Sequence, residues 1–261
     1  RIENSVIGIR TRIGNGTTIV SSYVMGSDFY ETMEDMIHHV ERGIPKLGIG
    51  ERCYIRNAII DKNCRIGDDV RMACDANQVW DVNEAIKWIK AISHVNLFWV
   101  EEPTSPDDIL GHATIAKAIA PTRVATGEHV HNRIMFKQML QAGSMSFLQL
   151  DATRTAGVNE NVAIIVMAAK FGIPVCPHAG GVGLCEMVAH LAMFDSVAVT
   201  GHHDKRVVEF VDHLHEHFVI PTQIKNASYV APLTPGAGAE IKAQSLIDYN
   251  YATGSVWKSR K

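Results

Sequence analysis

No apolar run in the 261-residue sequence approaches the roughly 18–20 residues that cross a bilayer, so no membrane partner is expected. The first residues are polar and mixed, without a signal-peptide pattern. No CxxC pair occurs: Cys53, Cys64, Cys74, Cys176 and Cys185 are scattered and odd in number. Reduced thiols in a cytoplasmic setting are the expectation. No basic stripe is present and the net charge is −3, which argues against nucleic acid as a partner. What remains is an ordinary globular composition, 46% hydrophobic and 20% charged, enough for one large domain or two modest ones.

Residues 1–70 carry a six-residue apolar beat. Ile7, Ile13 and Ile19 are evenly spaced, with Gly8 and Gly14 after the first two. The phase resumes at Ile49, Ile55, Ile60 and Ile66, with Gly50 and Gly67. Neither a helix nor a simple strand has this period. A parallel β-helix does, each repeat forming one short side of a coil. Between the two runs, Met33, Met36, Ile37 and Val40 fall at helical spacing, with acidic residues ahead of His38, His39 and Arg42. Gly43 and Pro45 are expected to stop this inserted helix.

From residue 71 onward the period changes. Strand-like runs alternate with helical patterns at Glu84–Ile92, Ile109–Ile119, Arg133–Gln141, Asn159–Phe171 and Leu184–Phe194. Alternating β and α units imply a parallel sheet. A polar residue ends each strand-like run: Asp75, Glu101, Glu128, Asp151, His178 and Glu209, separated by 26, 27, 23, 27 and 31 residues. A (β/α)8 barrel runs at about 31 residues per unit and keeps its chemistry at the C-terminal ends of its strands. The expected fold class is therefore α/β: an incomplete (β/α)8 barrel of about six units over residues 71–261, preceded by a short left-handed parallel β-helix over residues 1–70.

The six residues suggest a chemistry. Asp75, Glu101 and Glu128 are hard oxygen donors suited to one Mg²⁺ ion. Such an ion, bound to a substrate carboxylate, stabilises the enediolate formed when the α-proton leaves. His178 titrates near neutrality and can move a proton, with Asp151 on the adjacent strand holding its ring. Glu209 can hydrogen-bond a developing oxyanion if its pKa is raised, or position another donor.

These segments also carry family resemblances. "DANQVWD", "WVEEPTSPDDILGH", "ATGEHVHNR", "LQLDATRTAGVNE", "CPHAGGVGLCE" and "VVEFVDHLHEHF" resemble the enolase superfamily, mandelate racemase branch, and within it the L-fuconate dehydratase family. The resemblance implies Asp75, Glu101 and Glu128 as Mg²⁺ ligands, His178 with Asp151 as an acid/base dyad, and Glu209 at the end of the eighth strand. It implies a hydro-lyase acting on a small-molecule acid sugar to give a 2-keto-3-deoxy acid, with His178 expelling the 3-hydroxyl. "SVIGIRTRIGNGTTIVSSYVMGSDFYE" and "GIGERCYIRNAIIDKNCRIGDDV" resemble the C-terminal β-helix of bacterial ADP-glucose pyrophosphorylases. That resemblance implies an oligomerisation and effector-binding module, a homo-oligomer, and Lys62 as an effector contact; an ordinary exposed lysine is the competing reading.

The departures are as specific. The dehydratase pattern includes a capping domain and a Lys-x-Lys base on the second strand, and no Lys-x-Lys occurs here. The two patterns meet without a linker at residues 69–72, inside a strand. A chimera of two truncated lineages, by itself inactive as a dehydratase, is the expectation, with a non-functional fusion as its limiting case. Other features divide between two readings. "HAGGVG" is either a phosphate cradle or a tight βα turn. The histidines of "DHLHEHF", without HExxH spacing, are either zinc ligands or not. Trp80, Trp88, Trp99 and Trp257 are read as packing residues.

Overall fold

The computed structural model describes residues 1–41, 44–56, 58–68, 71–203, 206–225 and 227–258. The chain forms two compact units. The first is Arg1–Thr104, Lys117–Arg123 and Ile224–Ser228; the second is Ser105–Ala116, Val124–Gln223 and Tyr229–Lys261. Among the described residues no helix is long and apolar enough to cross a membrane. All five cysteines are unpaired thiols.

The first unit opens with eight short strands: β1 (Ile2–Glu3), β2 (Val6–Ile7), β3 (Thr18–Val20), β4 (Tyr23–Val24), β5 (Gly48–Ile49), β6 (Tyr54–Arg56), β7 (Ile59–Ile60) and β8 (Arg65–Ile66). They pair in parallel as β1–β3–β6, β2–β4–β7 and β5–β8. The registers stack Ile2 on Ile19 on Ile55, and Ile7 on Val24 on Ile60. Ile13 stacks on Ile49, which stacks on Ile66. These are three faces of a coil repeated three times, the β-helix expected from the six-residue beat. All seven isoleucines of that beat meet in one core with Val24, Cys53 and Ala58.

Glycine is needed at the corners for closeness rather than for an unusual turn. A Cβ on Gly14 would strike the backbone of Gly50, and one on Gly50 the backbone of Gly67. Ile49 is the middle rung of its ladder and 1% exposed. Ile49→Val is expected to lower stability by about 0.5–1.5 kcal/mol, the usual result of removing one buried methylene. Urea unfolding checks this; an unchanged midpoint would mean that the coil is not packed around Ile49.

The inserted helix α1 (Met33–Glu41) starts where Thr32 and Asp35 cap each other: the Thr32 N–H donates to Asp35 Oδ2 and the Asp35 N–H to Thr32 Oγ1, both at 3.1 Å. Acidic residues fill its first turn and histidines its last. Met33 and Ile37 are exposed, so its apolar stripe lies on the surface and does not join the coil core. The expected stop at Gly43 lies outside the described residues. The insert is held by Glu31, a buried carboxylate that accepts from Arg65 Nη1 at 2.5 Å, the Leu47 N–H at 2.7 Å and His39 Nδ1 at 2.9 Å. Burial alone would raise the Glu31 pKa, but these three donors outweigh it and hold the carboxyl below its ordinary value.

The βα alternation then begins with β9 (Cys74–Asp75), α2 (Val82–Ala91) and β10 (Trp99–Glu101). Asp81 caps α2 by accepting from the Glu84 N–H at 2.8 Å. Strands β9 and β10 are parallel, with Glu101 opposite Asp75. The junction expected at residue 70 falls on Asp69 and Val70, outside the described residues.

The second unit continues the alternation. It contains most of α3 (Ile109–Ile119) and β11 (Arg123–Thr126), then α4 (Arg133–Ala142), β12 (Phe147–Leu148), α5 (Val158–Lys170) and α6 (Leu184–Phe194). Strands β11 and β12 pair in parallel, and single parallel bridges join Leu148 to Val175 and Asp151 to His178. The core is built from Phe136, Met139, Leu148, Leu150, Ile164 and Ile165, all essentially inaccessible apart from a trace at Leu150's neighbours. The chain is thus α/β with parallel ladders, in the manner of a partial barrel.

The sixth expected unit differs. Residues 206–212 form no strand; the only printed ladder-like contact is the Glu209 N–H to the Pro177 carbonyl, at 3.4 Å. One long hydrogen bond does not make a ladder, and no helix follows. The tail holds a short hairpin, β13 (Ile224–Lys225) with β14 (Ser228–Tyr229), and two short helices, α7 (Ala243–Asp248) and α8 (Ser255–Lys258).

Candidate active site

Four of the six strand-end residues converge in the second unit. Asp151 and His178 sit opposite each other on the parallel bridge. Consecutive parallel strands bring equivalent positions side by side, so a 27-residue spacing in sequence becomes a contact. His178 Nδ1 donates to Asp151 Oδ2 at 2.8 Å. The other carboxylate oxygen, Oδ1, accepts from the Thr153 N–H at 2.6 Å, Thr153 Oγ1 at 2.7 Å and the Arg154 N–H at 3.1 Å. Asp151 is therefore fixed on both oxygens, and it fixes the ring.

The other ring nitrogen faces acid as well. His178 Nε2 is 3.3 Å from Glu128 Oε2 and 3.8 Å from Glu209 Oε2. Burial would push the imidazole pKa down. The hydrogen bond to Asp151 and the charges of Glu128, Glu209 and Asp151 outweigh it, so the pKa lies above its ordinary value. Burial likewise would raise Asp151, but His178, Thr153 and Arg154 donate to it and hold it well below the carboxylate range. The site is a protonated imidazolium held among carboxylates, an acid poised to give up a proton from Nε2.

Neighbours complete the setting. Glu128 accepts from Arg154 Nη1 at 3.0 Å. Glu209 Oε2 accepts from the Ala179 N–H at 2.5 Å, and its main-chain carbonyl from the Tyr229 hydroxyl at 2.5 Å. Glu209 thus reaches the dyad from a segment without strand pairing, contrary to its expected place at a strand end. Gly180 has no room for a side chain: a Cβ there would collide with His178 Nε2.

Asp75 and Glu101 belong to the first unit, where the register sets them side by side on β9 and β10. Asp75 is exposed, and its Oδ1 accepts from the Asn77 N–H at 2.8 Å. Glu101 Oε2 accepts from the Trp99 indole N–H at 3.0 Å, so Trp99 orients a carboxylate rather than merely packing. Two neighbouring carboxylates with outward oxygens are a donor set that suits a hard divalent cation.

Several functional neighbours escape a sequence reading. Arg154, Thr153 and Tyr229 matter only through tertiary contacts. Thr153 had a local signal, since an Asp-x-Thr run often closes an Asx turn. Glu102, beside Glu101, is buried and accepts from Gln78 Nε2 on both oxygens at 2.9 Å. Lys62 donates to Asp28 Oδ1 at 2.7 Å on the surface, and that bond raises its pKa. Of the "DHLHEHF" histidines, His215 packs edge-on to Phe210 and His217 bonds Ser245 Oγ. Among the described residues the three do not form a metal-ligand group. The "HAGGVG" run is a turn into α6 with Gly183 left-handed before Leu184.

A family model described as "Enolase C-terminal domain-like" matches residues 61–245, and one described as "GLGC left-handed parallel beta-helix domain" matches residues 1–91. Mitochondrial enolase superfamily member 1 of Xenopus laevis is 55% identical over 195 residues, covering 74% of this chain and 44% of that protein. L-galactonate dehydratase of Hypocrea jecorina is 49% identical over 179 residues, covering 68% and 39%. Among solved structures, L-talarate dehydratase from Polaromonas sp. JS666, complexed with Mg and L-glucarate, superposes with a TM-score of 0.58 at 27% identity, covering 67% of this chain and 46% of that one. The chain spans less than half the length of these relatives.

Proposed function

For a chain that belongs to the enolase C-terminal domain-like family, as residues 61–245 establish, we propose the lineage of an Mg²⁺-dependent acid-sugar dehydratase, of the L-fuconate dehydratase type. The observation that carries it is the His178–Asp151 dyad, its second nitrogen turned toward Glu128 and Glu209. Asp75, Glu101 and Glu128 would hold Mg²⁺; all three offer carboxylate oxygens and none is a soft ligand. The ion would supply positive charge for the substrate's carboxylate end. His178 Nε2 delivers a proton to the departing 3-hydroxyl, so the leaving group exits as water. Asp151 keeps the ring oriented, and Glu209 steadies the mouth of the site beside Ala179.

Removal of the α-proton needs a base on the far side of the substrate, and no Lys-x-Lys occurs in the sequence. The chain therefore binds an acid sugar and supplies the acid half of the reaction, with little turnover by itself. Calorimetry with L-fuconate in Mg²⁺, alongside an assay for 2-keto-3-deoxy-L-fuconate, tests both parts. Saturable binding with at most trace product is expected. Absence of binding by a folded sample would overturn the lineage reading, and rapid turnover would overturn the missing-base argument.

The β-helix favours a second role for residues 1–70, with the barrel segment occupying 71–261: an assembly module, possibly shared with effector contacts at Lys62, joined to the barrel segment by fusion. The overlap of the two family matches over residues 61–91 supports a junction there. Sequencing the source transcript from Asp68 to Asp75 tests the fusion; a break in the message would overturn it. Light scattering of the full chain tests assembly, for which a monomer would be the contrary result.

A further inference from the structure

A cavity of about 520 Å³ in the first unit belongs to neither the dyad nor the carboxylate pair. Arg52, Arg71 and Arg123 line it, together with Phe98, Tyr54 and Thr122, and no acidic side chain does. The Arg71 guanidinium lies 5.3 Å from the centre of the Phe98 ring and that of Arg123 5.1 Å. Each is drawn to the ring by cation–π attraction. Two like charges are thereby held near one ring, an arrangement that an anion between them relieves. A guanidinium stacked on a ring keeps its edge N–H groups directed outward, in the fork that matches phosphate and carboxylate oxygens.

We propose that this cavity binds a small phosphate monoester. A carboxylate has two oxygens and is satisfied by one fork. A phosphate has three terminal oxygens and nearly two charges, enough for three guanidiniums to share. Arg52 also pairs with Glu51 at 2.8 Å, so it completes the site from the side while Arg71 and Arg123 anchor the anion. The Tyr54 and Thr122 hydroxyls serve the esterified part, for which the cavity has room within the range of roughly 300–1,000 Å³ typical of small-ligand sites. This inference does not depend on the dehydratase reading.

Calorimetry of the full chain with ribose 5-phosphate, ribose and L-tartrate is the test. Ribose 5-phosphate is expected to bind one to one, ribose not at all, and binding should weaken as salt rises. Arg71→Lys and Arg123→Lys keep the charge but lose the fork, and each is expected to weaken binding about tenfold with an unchanged melting curve. Absence of ribose 5-phosphate binding would overturn the site. Equal affinity in the folded lysine variants, or equal binding of L-tartrate, would overturn the phosphate assignment.

Discussion

Asp151→Asn is expected to destabilise the protein by about 3–5 kcal/mol, the usual result of removing one partner from a buried charge pair. The carboxylate accepts four hydrogen bonds at its two oxygens, and an amide cannot accept as many. The His178 pKa should fall at the same time, since burial then acts against two facing carboxylates instead of three. NMR titration of the His178 ring reads this; an unmoved value would sink the dyad. The pH dependence follows from the two shifts. Asp151 is depressed from 3.8, so its contribution is present above that value and is lost as pH falls toward its folded value. His178 is raised from 6.5, so its contribution is full below that value and is lost as pH rises through the folded value. Stability from the pair should peak between the two and decline on both sides, and the decline on the acid side should be smaller in Asp151→Asn.

Addition of Mg²⁺ is expected to raise the thermal midpoint. At a hundredfold excess over the dissociation constant, a ligand confined to the folded state adds about 2.7 kcal/mol. Asp75→Asn and Glu101→Gln should each abolish most of that gain while leaving the metal-free midpoint nearly unchanged, because neither residue is deeply buried. Glu128→Gln should abolish it too, and should also lower the His178 pKa, since Glu128 faces Nε2. A midpoint insensitive to Mg²⁺ would sink the metal proposal.

The β-helix was legible because its period is set by geometry: the seven isoleucines of the six-residue beat meet in the coil core. Helices α3 and α6 match their expected limits, since an amphipathic stripe shows where it starts and stops. Asp151 and His178 were legible as a pair because strand-end positions recur with the βα unit. Other features had no such period. The Glu209 segment is rich in Val and reads as a strand, yet its backbone finds too few partners to form one. The clasp of Glu31 on Arg65, and of Arg154 on Glu128, joins residues 34 and 26 apart with no repeat between them. Gly180 is required by the ring of a residue two positions away, which no glycine in a sequence announces.

The inserted helix has a consequence for engineering. The chain leaves the coil after Val24 and rejoins it at Gly48, and both points are held in register by the coils on either side. Length added between them does not shift any rung. Lengthening such an excursion adds only about 0.6 kcal/mol per doubling in closure entropy. The segment is a port through which a foreign loop or domain could be grafted onto the solenoid, on condition that Glu31 and its clasp on Arg65 are kept as the hinge-pin.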